Sequence, residues 1–177
     1  MVIDNRTKTK IIEYVIDRYE GGYVNDPNDK GGETKYGITK ATYPNLDIKN
    51  LTKEQAVNIY KRHYWGSSLD SIAQYTSDKL TEKVFAFAIN AGVGTSVKAI
   101  QRALNNLTDN SLKVDGIWGP KSKEALKTLT NDGQNTSNII AFQCTLFVEM
   151  IAHYFQLCIK KPSQKTFLMS WLRRIFD

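Results

Sequence analysis

The chain is 177 residues long, with 41% hydrophobic residues, 24% charged residues and a formal net charge of +6. That length suits one compact domain or two small lobes sharing a core, and the balance excludes collagen-like, disordered and low-complexity classes. The basic surplus favours polyanionic partners, but the lysines and arginines are scattered with no run of five or six, so charge alone does not choose between nucleic acid, anionic membrane and bacterial wall.

The first twenty residues, MVIDNRTKTKIIEYVIDRYE, contain no apolar stretch before a small-residue cleavage site, which predicts no signal peptide. Residues 8–20 are predicted to form a helix, because Ile11, Ile12, Val15, Ile16 and Tyr19 share one face at helical spacing. Gly21 and Gly22 stop it, so Glu20 falls at its C-terminal end. Residues 23–39, YVNDPNDKGGETKYGIT, carry turn chemistry with room for a short β-hairpin. A polar loop of that length inside a small domain points to function.

Thr52 and Gln55 form a capping box, and the helix it starts runs through Ala56, Val57, Tyr60 and Tyr64. Further helices are predicted over about 77–91 and 96–106. The first turns Leu80, Val84, Phe85, Ala88 and Ile89 inward, and the second Val97, Ile100, Ala103, Leu104 and Leu107. Residues 114–120, VDGIWGP, form a turn whose Ile117 and Trp118 are expected in the core, and Pro120 opens a short helix. A long helix follows over about 137–160, capped by Thr136 or Ser137 and ended by Pro162. The last, about 163–176, places Phe167, Leu168, Trp171, Leu172 and Ile175 on one side, which reads as packing on the long helix, with contact to an anionic membrane through Lys165, Arg173 and Arg174 as the competing reading. No uninterrupted run of 18 apolar residues occurs, which predicts no transmembrane helix. Cys144 and Cys158 share the long helix about 21 Å apart, too far to bond.

Glu20 is the candidate general acid. Helix-end carbonyls carry partial negative charge and disfavour an ionised carboxylate, and the apolar stripe ending at Tyr19 favours the protonated form, which is the form a glycosidase acid needs. The loop adds Asp26, Asp29 and Glu33. A loop that doubles back would set Asp29 across a cleft from Glu20, as in the paired carboxylates of glycoside hydrolysis. Thr34 would position the water. For Asp26 and Asp29 the competing reading is Asx-turn structure, and Glu33 reads as solvated. Tyr23 and Tyr36 flank the acidic loop as sugar-stacking candidates. Tyr64 and Trp65 are further candidates, with core packing as the competing reading. Asn90 would bond an N-acetyl group or cap its helix. His63 and His153 stand apart from any metal-binding pattern, so neither a metal nor a cofactor is expected.

The block Glu20-Gly21-Gly22-Tyr23, Asn25-Asp26-Pro27, Gly31-Gly32, Thr34 and Tyr36-Gly37-Ile38-Thr39 closely resembles glycoside hydrolase family 108. These N-acetylmuramidases are marked by an EGGY motif whose glutamate is the catalytic acid, which the resemblance assigns to Glu20. The nine-residue gap from Glu20 to Asp29 also resembles phage-type lysozymes. Their Asp–Thr gap is usually six, however, and Asp29–Thr34 is five, which loosens the role of Thr34. Downstream, Tyr60, Tyr64, Trp65 and the segment Phe85–Gly94 resemble the rest of the family's N-terminal half. Gln101, Ala103, Leu104, VDGIWGP and Phe167-Leu168 with Trp171–Arg174 resemble the peptidoglycan-binding-like half beside it, with Ser170 standing where many relatives have glycine.

The expectation is therefore a mainly α, lysozyme-like, two-lobed helical fold with a short irregular or β-hairpin segment after the first helix. Residues 1–94 would form the catalytic region, and 95–177 the helical peptidoglycan-binding-like region. The resemblance implies hydrolysis of the β-1,4 bond between N-acetylmuramic acid and N-acetylglucosamine. The expected partner is the peptidoglycan glycan strand, with no nucleic acid, no stable membrane insertion and a monomeric state. The protein is expected to be made in the bacterial cytoplasm and to reach the wall through a phage or host export route, as a phage endolysin does. The alternative is a non-catalytic wall-binding or secretion-associated module.

Overall fold

Helix α1 (Asn5–Tyr19) begins at Asp4, whose carboxylate accepts the backbone N–H groups of Arg6 at 2.7 Å and Thr7 at 2.9 Å. These coordinates are a computed structural model describing residues 3–25, 32–109 and 111–177. The sequence pattern starts this helix three residues late, because Asn5, Arg6 and Thr7 are polar and only the cap marks them. Ile11, Ile12, Val15 and Ile16 are buried along one face, as their spacing predicts.

That face packs on α2 (Lys53–His63), which buries Ala56, Val57 and Tyr60. Each buried Val or Ile contributes roughly 1.5–3 kcal/mol over leaving it in water. The capping box forms as predicted. Thr52 Oγ1 accepts the Gln55 N–H at 3.2 Å, and Gln55 Oε1 accepts the Thr52 N–H at 2.9 Å. Between the helices lies an antiparallel hairpin, β1 (Thr34–Lys35) and β2 (Ile38–Thr39), with Thr34 opposite Thr39 and Lys35 opposite Ile38. Val24 pairs with Thr34 through two N–H···O bonds of 2.8 Å, which ties the chain leaving α1 to the hairpin. These elements form one compact unit, Asp4–Trp65.

The second unit, Gly66–Asp177, is helical. It contains α3 (Ser67–Tyr75), α4 (Asp78–Ala91), α5 (Val93–Leu107), α6 (Pro120–Leu129), α7 (Thr136–Lys160), a 3-10 turn (Pro162–Gln164) and α8 (Lys165–Phe176). Helix α3 is missing from the sequence reading. It is short, and its N-cap Gly66 supplies no side-chain bond, although Leu69, Ile72 and Tyr75 recur at threes on its buried face. Helix α4 buries Leu80, Thr81 and the unbroken run Lys83–Ala88, the pattern of a helix surrounded by others. It packs on α3, α5 and α8. Ile89, expected inside, is half-buried. The largest packing partner of α7 is α5, whose Ala99 and Ala103 are fully buried, small residues that let neighbouring helices approach.

The cap of α7 is Asn135 rather than Thr136 or Ser137, because its Oδ1 accepts the Asn138 N–H at 3.0 Å. Both cysteines are free on α7, Cys144 exposed and Cys158 buried. Helix α7 is long and apolar enough to cross a membrane by length and composition, although it contains no uninterrupted run of 18 apolar residues. An 18-residue window has mean hydropathy 1.2, and 22% of it is buried. The expectation counts uninterrupted apolar runs, and isolated polar residues such as Gln143, Thr145, Glu149 and His153 break the run without cancelling its mean hydropathy. In α8, Phe167 is 50% exposed rather than facing in. Its ring stacks on Trp171, which stacks in turn on the buried Tyr154.

Candidate active site

Glu20 occupies the C-cap of α1, with φ −111°, and its N–H still donates to Ile16 O at 3.0 Å. Gly21 at once adopts φ +53°, a left-handed geometry that glycine tolerates, and turns the chain away. The turn leaves the Glu20 side chain half-buried at the end of an amphipathic helix. The hairpin supplies what faces it. Tyr36 and Gly37 have φ +53° and +73°, the two left-handed residues of a type I′ turn. A Cβ added at Gly37 would collide with Glu20 Oε2 and would stand 2.5 Å from the Tyr60 hydroxyl and 3.0 Å from Glu20 Cδ. The carboxyl group of Glu20 and the phenol of Tyr60 therefore both lie against the bare α-carbon of Gly37.

Two hydrogen bonds and a cation–π contact hold this arrangement. The Tyr36 N–H donates to Gly21 O at 3.3 Å, joining the hairpin turn to the end of α1. Tyr60, 1% exposed on α2, donates its hydroxyl to Tyr36 O at 2.8 Å. The Tyr36 ring takes the Lys35 ammonium 5.6 Å from its centroid. One residue thus ties α1, the hairpin and α2 together around the Glu20 carboxyl. Sequence reasoning places Tyr60 in the core stripe of α2 and gives neither it nor Gly37 a role beside Glu20. The usable signal was the Tyr36-Gly37 pair between two short strands, which demands positive φ at both positions.

The other candidates distribute as follows. Thr34 lies on β1, half-buried, with its Oγ1 donating to Gly32 O at 3.3 Å. Tyr23 is 38% exposed and donates its hydroxyl to Glu33 Oε1 at 2.7 Å, and that bond with the nearby carboxylate raises its phenol above the ordinary range. Glu33, read as solvated, is thereby bonded to Tyr23. Tyr64 caps α2, with its ring 5.5 Å from that of Tyr60, and Trp65 lies beneath the Lys8 ammonium at 5.8 Å. Both are half-buried, between the core and sugar-wall readings. Asp26 and Asp29 lie outside the described residues. Asn90 belongs to the second unit, where its Nδ2 donates to the Tyr154 hydroxyl at 3.1 Å. Among the described residues, no three His, Cys, Asp or Glu side chains gather as a metal site.

In the second unit, VDGIWGP is organised by Gln101. Buried at 2% exposure, it accepts the Gly116 N–H at 3.0 Å and donates to Asp115 Oδ1 at 3.0 Å and Ile117 O at 3.1 Å. The Ile117 N–H and Gln101 hold the Asp115 carboxyl below its usual value. The turn does not bury its two large residues as expected. Ile117 is 69% exposed, and half-buried Trp118 donates its indole N–H to Ser71 Oγ at 3.2 Å while lining a cleft of about 350 Å³ with Asp70, Gln74 and Lys123. The physical reason is that Gln101 satisfies the turn from beneath, so the turn needs no apolar anchor.

Comparisons with known proteins match the two parts of the chain to two family models. Residues 13–92 match the family described as "Glycosyl hydrolase 108", and residues 95–176 match a "Predicted Peptidoglycan domain". Ten solved chains match. One, "Structure of Brucella abortus SagA", is 24% identical over 98% of this chain and 95% of that one, with a TM-score of 0.64, a likeness of fold alone. A search of curated proteins returns no significant match.

Proposed function

Because this chain pairs a glycosyl hydrolase 108 region with a predicted peptidoglycan domain, we propose that it is a muramidase. It would cut the β-1,4 bond between N-acetylmuramic acid and N-acetylglucosamine, with Glu20 as the general acid. The observation that carries this reading is the seat of Glu20, a half-buried carboxyl at a helix end, lying against Gly37 and the Tyr60 hydroxyl. A general acid must be held within hydrogen-bond reach of the leaving oxygen, and the bare α-carbon of Gly37 leaves the room that the Glu20 carboxyl itself occupies, which a methyl would take from it. In the proposed reaction Glu20 protonates the glycosidic oxygen as the bond breaks and the sugar carbon gains oxocarbenium character. Asp29 would activate the attacking water with help from Thr34, while Tyr23, Tyr36, Tyr64 and Trp65 would stack on sugar faces and Asp26 would bond polar groups. The region 1–94 would carry the chemistry and 95–177 the grip on the strand.

Glu20→Gln keeps the side chain's shape and removes its acidity. It should leave the far-UV circular dichroism and melting temperature near parental while clearing of a purified peptidoglycan suspension falls by at least about 10²-fold, the scale of a lost general acid. A folded Glu20→Gln protein that clears the suspension at the parental rate sinks the assignment. Mass spectrometry of the released muropeptides checks the bond, since a muramidase leaves N-acetylmuramic acid at the reducing end. The proposal includes an endolysin-like route to the wall. Cells expressing the protein in the cytoplasm should then stay intact until the membrane is permeabilised.

A further inference from the structure

Helix α7 is buried on one side through Phe142, Leu146, Met150, Tyr154 and Cys158. A surface helix ordinarily presents polar residues opposite such a face, and this one does not. Its exposed positions between Ile139 and Ile159 are Ile140, Cys144, Val148, Ala152, Phe155, Gln156 and Ile159, and only Gln156 is polar. Ile140 is 57% exposed, Val148 63%, Phe155 46% and Ile159 69%. Stepping by three or four residues, they form one unbroken stripe about 29 Å long at the helical rise. The second feature is charge. Residues 155–177 contain Lys160, Lys161, Lys165, Arg173 and Arg174 against Asp177 alone, a surplus of +4 within a whole-chain +6. Lys160, Lys161, Lys165 and Arg173 are exposed, and the first three stand where the stripe ends at Ile159. From Gly133 to Phe176 the one acid is Glu149, which is neutralised by an ion pair with Arg102.

We propose that the α7 stripe, with the basic cluster at its C-terminal end, docks the protein on an anionic phospholipid bilayer, lying in the interface rather than crossing it. The buried face, packed on α5 and α8, holds α7 against its own unit and leaves the stripe as the part free to enter lipid. An apolar face joined to lysines is the composition that such surfaces recruit. The dimensions disfavour a second copy as the occupant. A stripe one helix wide and about 29 Å long offers roughly 300 Å², well below the ~800 Å² per partner of a stable dimer. The inference does not depend on the glycan chemistry, since none of its residues belongs to the Glu20 site.

The test is flotation of the full-length protein with vesicles of phosphatidylglycerol and phosphatidylethanolamine, compared with phosphatidylcholine alone. Binding is expected to the anionic vesicles and to be at least about tenfold weaker on the neutral ones, because each basic residue at an anionic surface contributes about fivefold. Val148→Glu with Phe155→Glu, at exposed positions that leave the core intact, should abolish binding. Lys160→Glu with Lys165→Glu, an independent variant of exposed polar residues, should weaken it at least about tenfold. A solvatochromic label on Cys144, the exposed thiol of the two, should shift to the blue with anionic vesicles. Glu20→Gln should bind like the parent, which separates this result from the fate of the muramidase reading. Absence of vesicle binding overturns the proposal, as does binding that both folded variants retain. A sedimentation dimer that Val148→Glu/Phe155→Glu dissociates, with no vesicle binding, would instead assign the stripe to a second copy.

Discussion

Replacing Gly37 by alanine adds one methyl group at the centre of the candidate site, and two separable effects follow. Its φ of +73° is a left-handed conformation that costs an L-residue roughly 1–2 kcal/mol. That penalty falls on stability alone. The new Cβ would also stand 2.5 Å from the Tyr60 hydroxyl and 3.0 Å from Glu20 Cδ, and it would overlap Glu20 Oε2. Restoring ordinary contact of about 3.5 Å moves the carboxyl or the turn by about 1 Å. A misplacement of that size costs about 10²-fold in rate, or about 2.7 kcal/mol of transition-state stabilisation. Gly133→Ala is the matched control. Its φ is +86°, but its added Cβ meets neighbours no nearer than 3.5 Å, in the other unit. The assay is initial clearing of purified peptidoglycan beside thermal melting, on both variants. Gly37→Ala should lose about 10²-fold in rate with a melting shift like that of Gly133→Ala, whose rate stays near parental. Equal rates for the two folded variants would show that the space beside Glu20 does not matter to the chemistry.

Other expectations concern the scaffold. Thr52→Ala removes the reciprocal cap of α2 and should cost about 1 kcal/mol in denaturant unfolding; an unchanged midpoint would mean that water replaces the cap without loss. Gln101→Leu should cost about 2–4 kcal/mol, because it leaves the Gly116 N–H, the Ile117 carbonyl and the Asp115 carboxylate without their buried partner, and the VDGIWGP segment should lose hydrogen-exchange protection first. His153 is held below the ordinary imidazole value mainly by burial, with Arg102 and Lys160 adding repulsion. The unfolded chain therefore binds its proton more readily, so His153 favours folding above about pH 6.5 and loses that contribution as pH falls below it. His153→Gln should flatten the fall in melting temperature between neutral and mildly acidic pH, and an unchanged slope would place the pH dependence elsewhere.

Much of the helical plan was legible because hydrophobic spacing and caps are local. The stripe Ile11–Ile16, the box Thr52–Gln55 and the double glycine after Glu20 each state their element within a few residues. Helix α3 leaves no such mark because it is short and its N-cap Gly66 offers no side-chain bond, and Asn135 does not stand out as a cap because three polar residues in a row offer equivalent oxygens. The exposure of the VDGIWGP turn is illegible for a different cause. Whether Ile117 faces water depends on Gln101, sixteen residues earlier, reaching up to bond the turn.

The sequence by itself determined which carboxyl ends a helix and where the chain must turn. Only the tertiary structure decided that these features converge, because the closeness of Glu20, Gly37 and Tyr60 depends on how α1, the hairpin and α2 pack. It alone revealed, too, that α7 turns an apolar stripe outward. A hydrophobic pattern records that a helix has apolar residues on several sides, and only packing against α5 and α8 determines which side is left facing solvent.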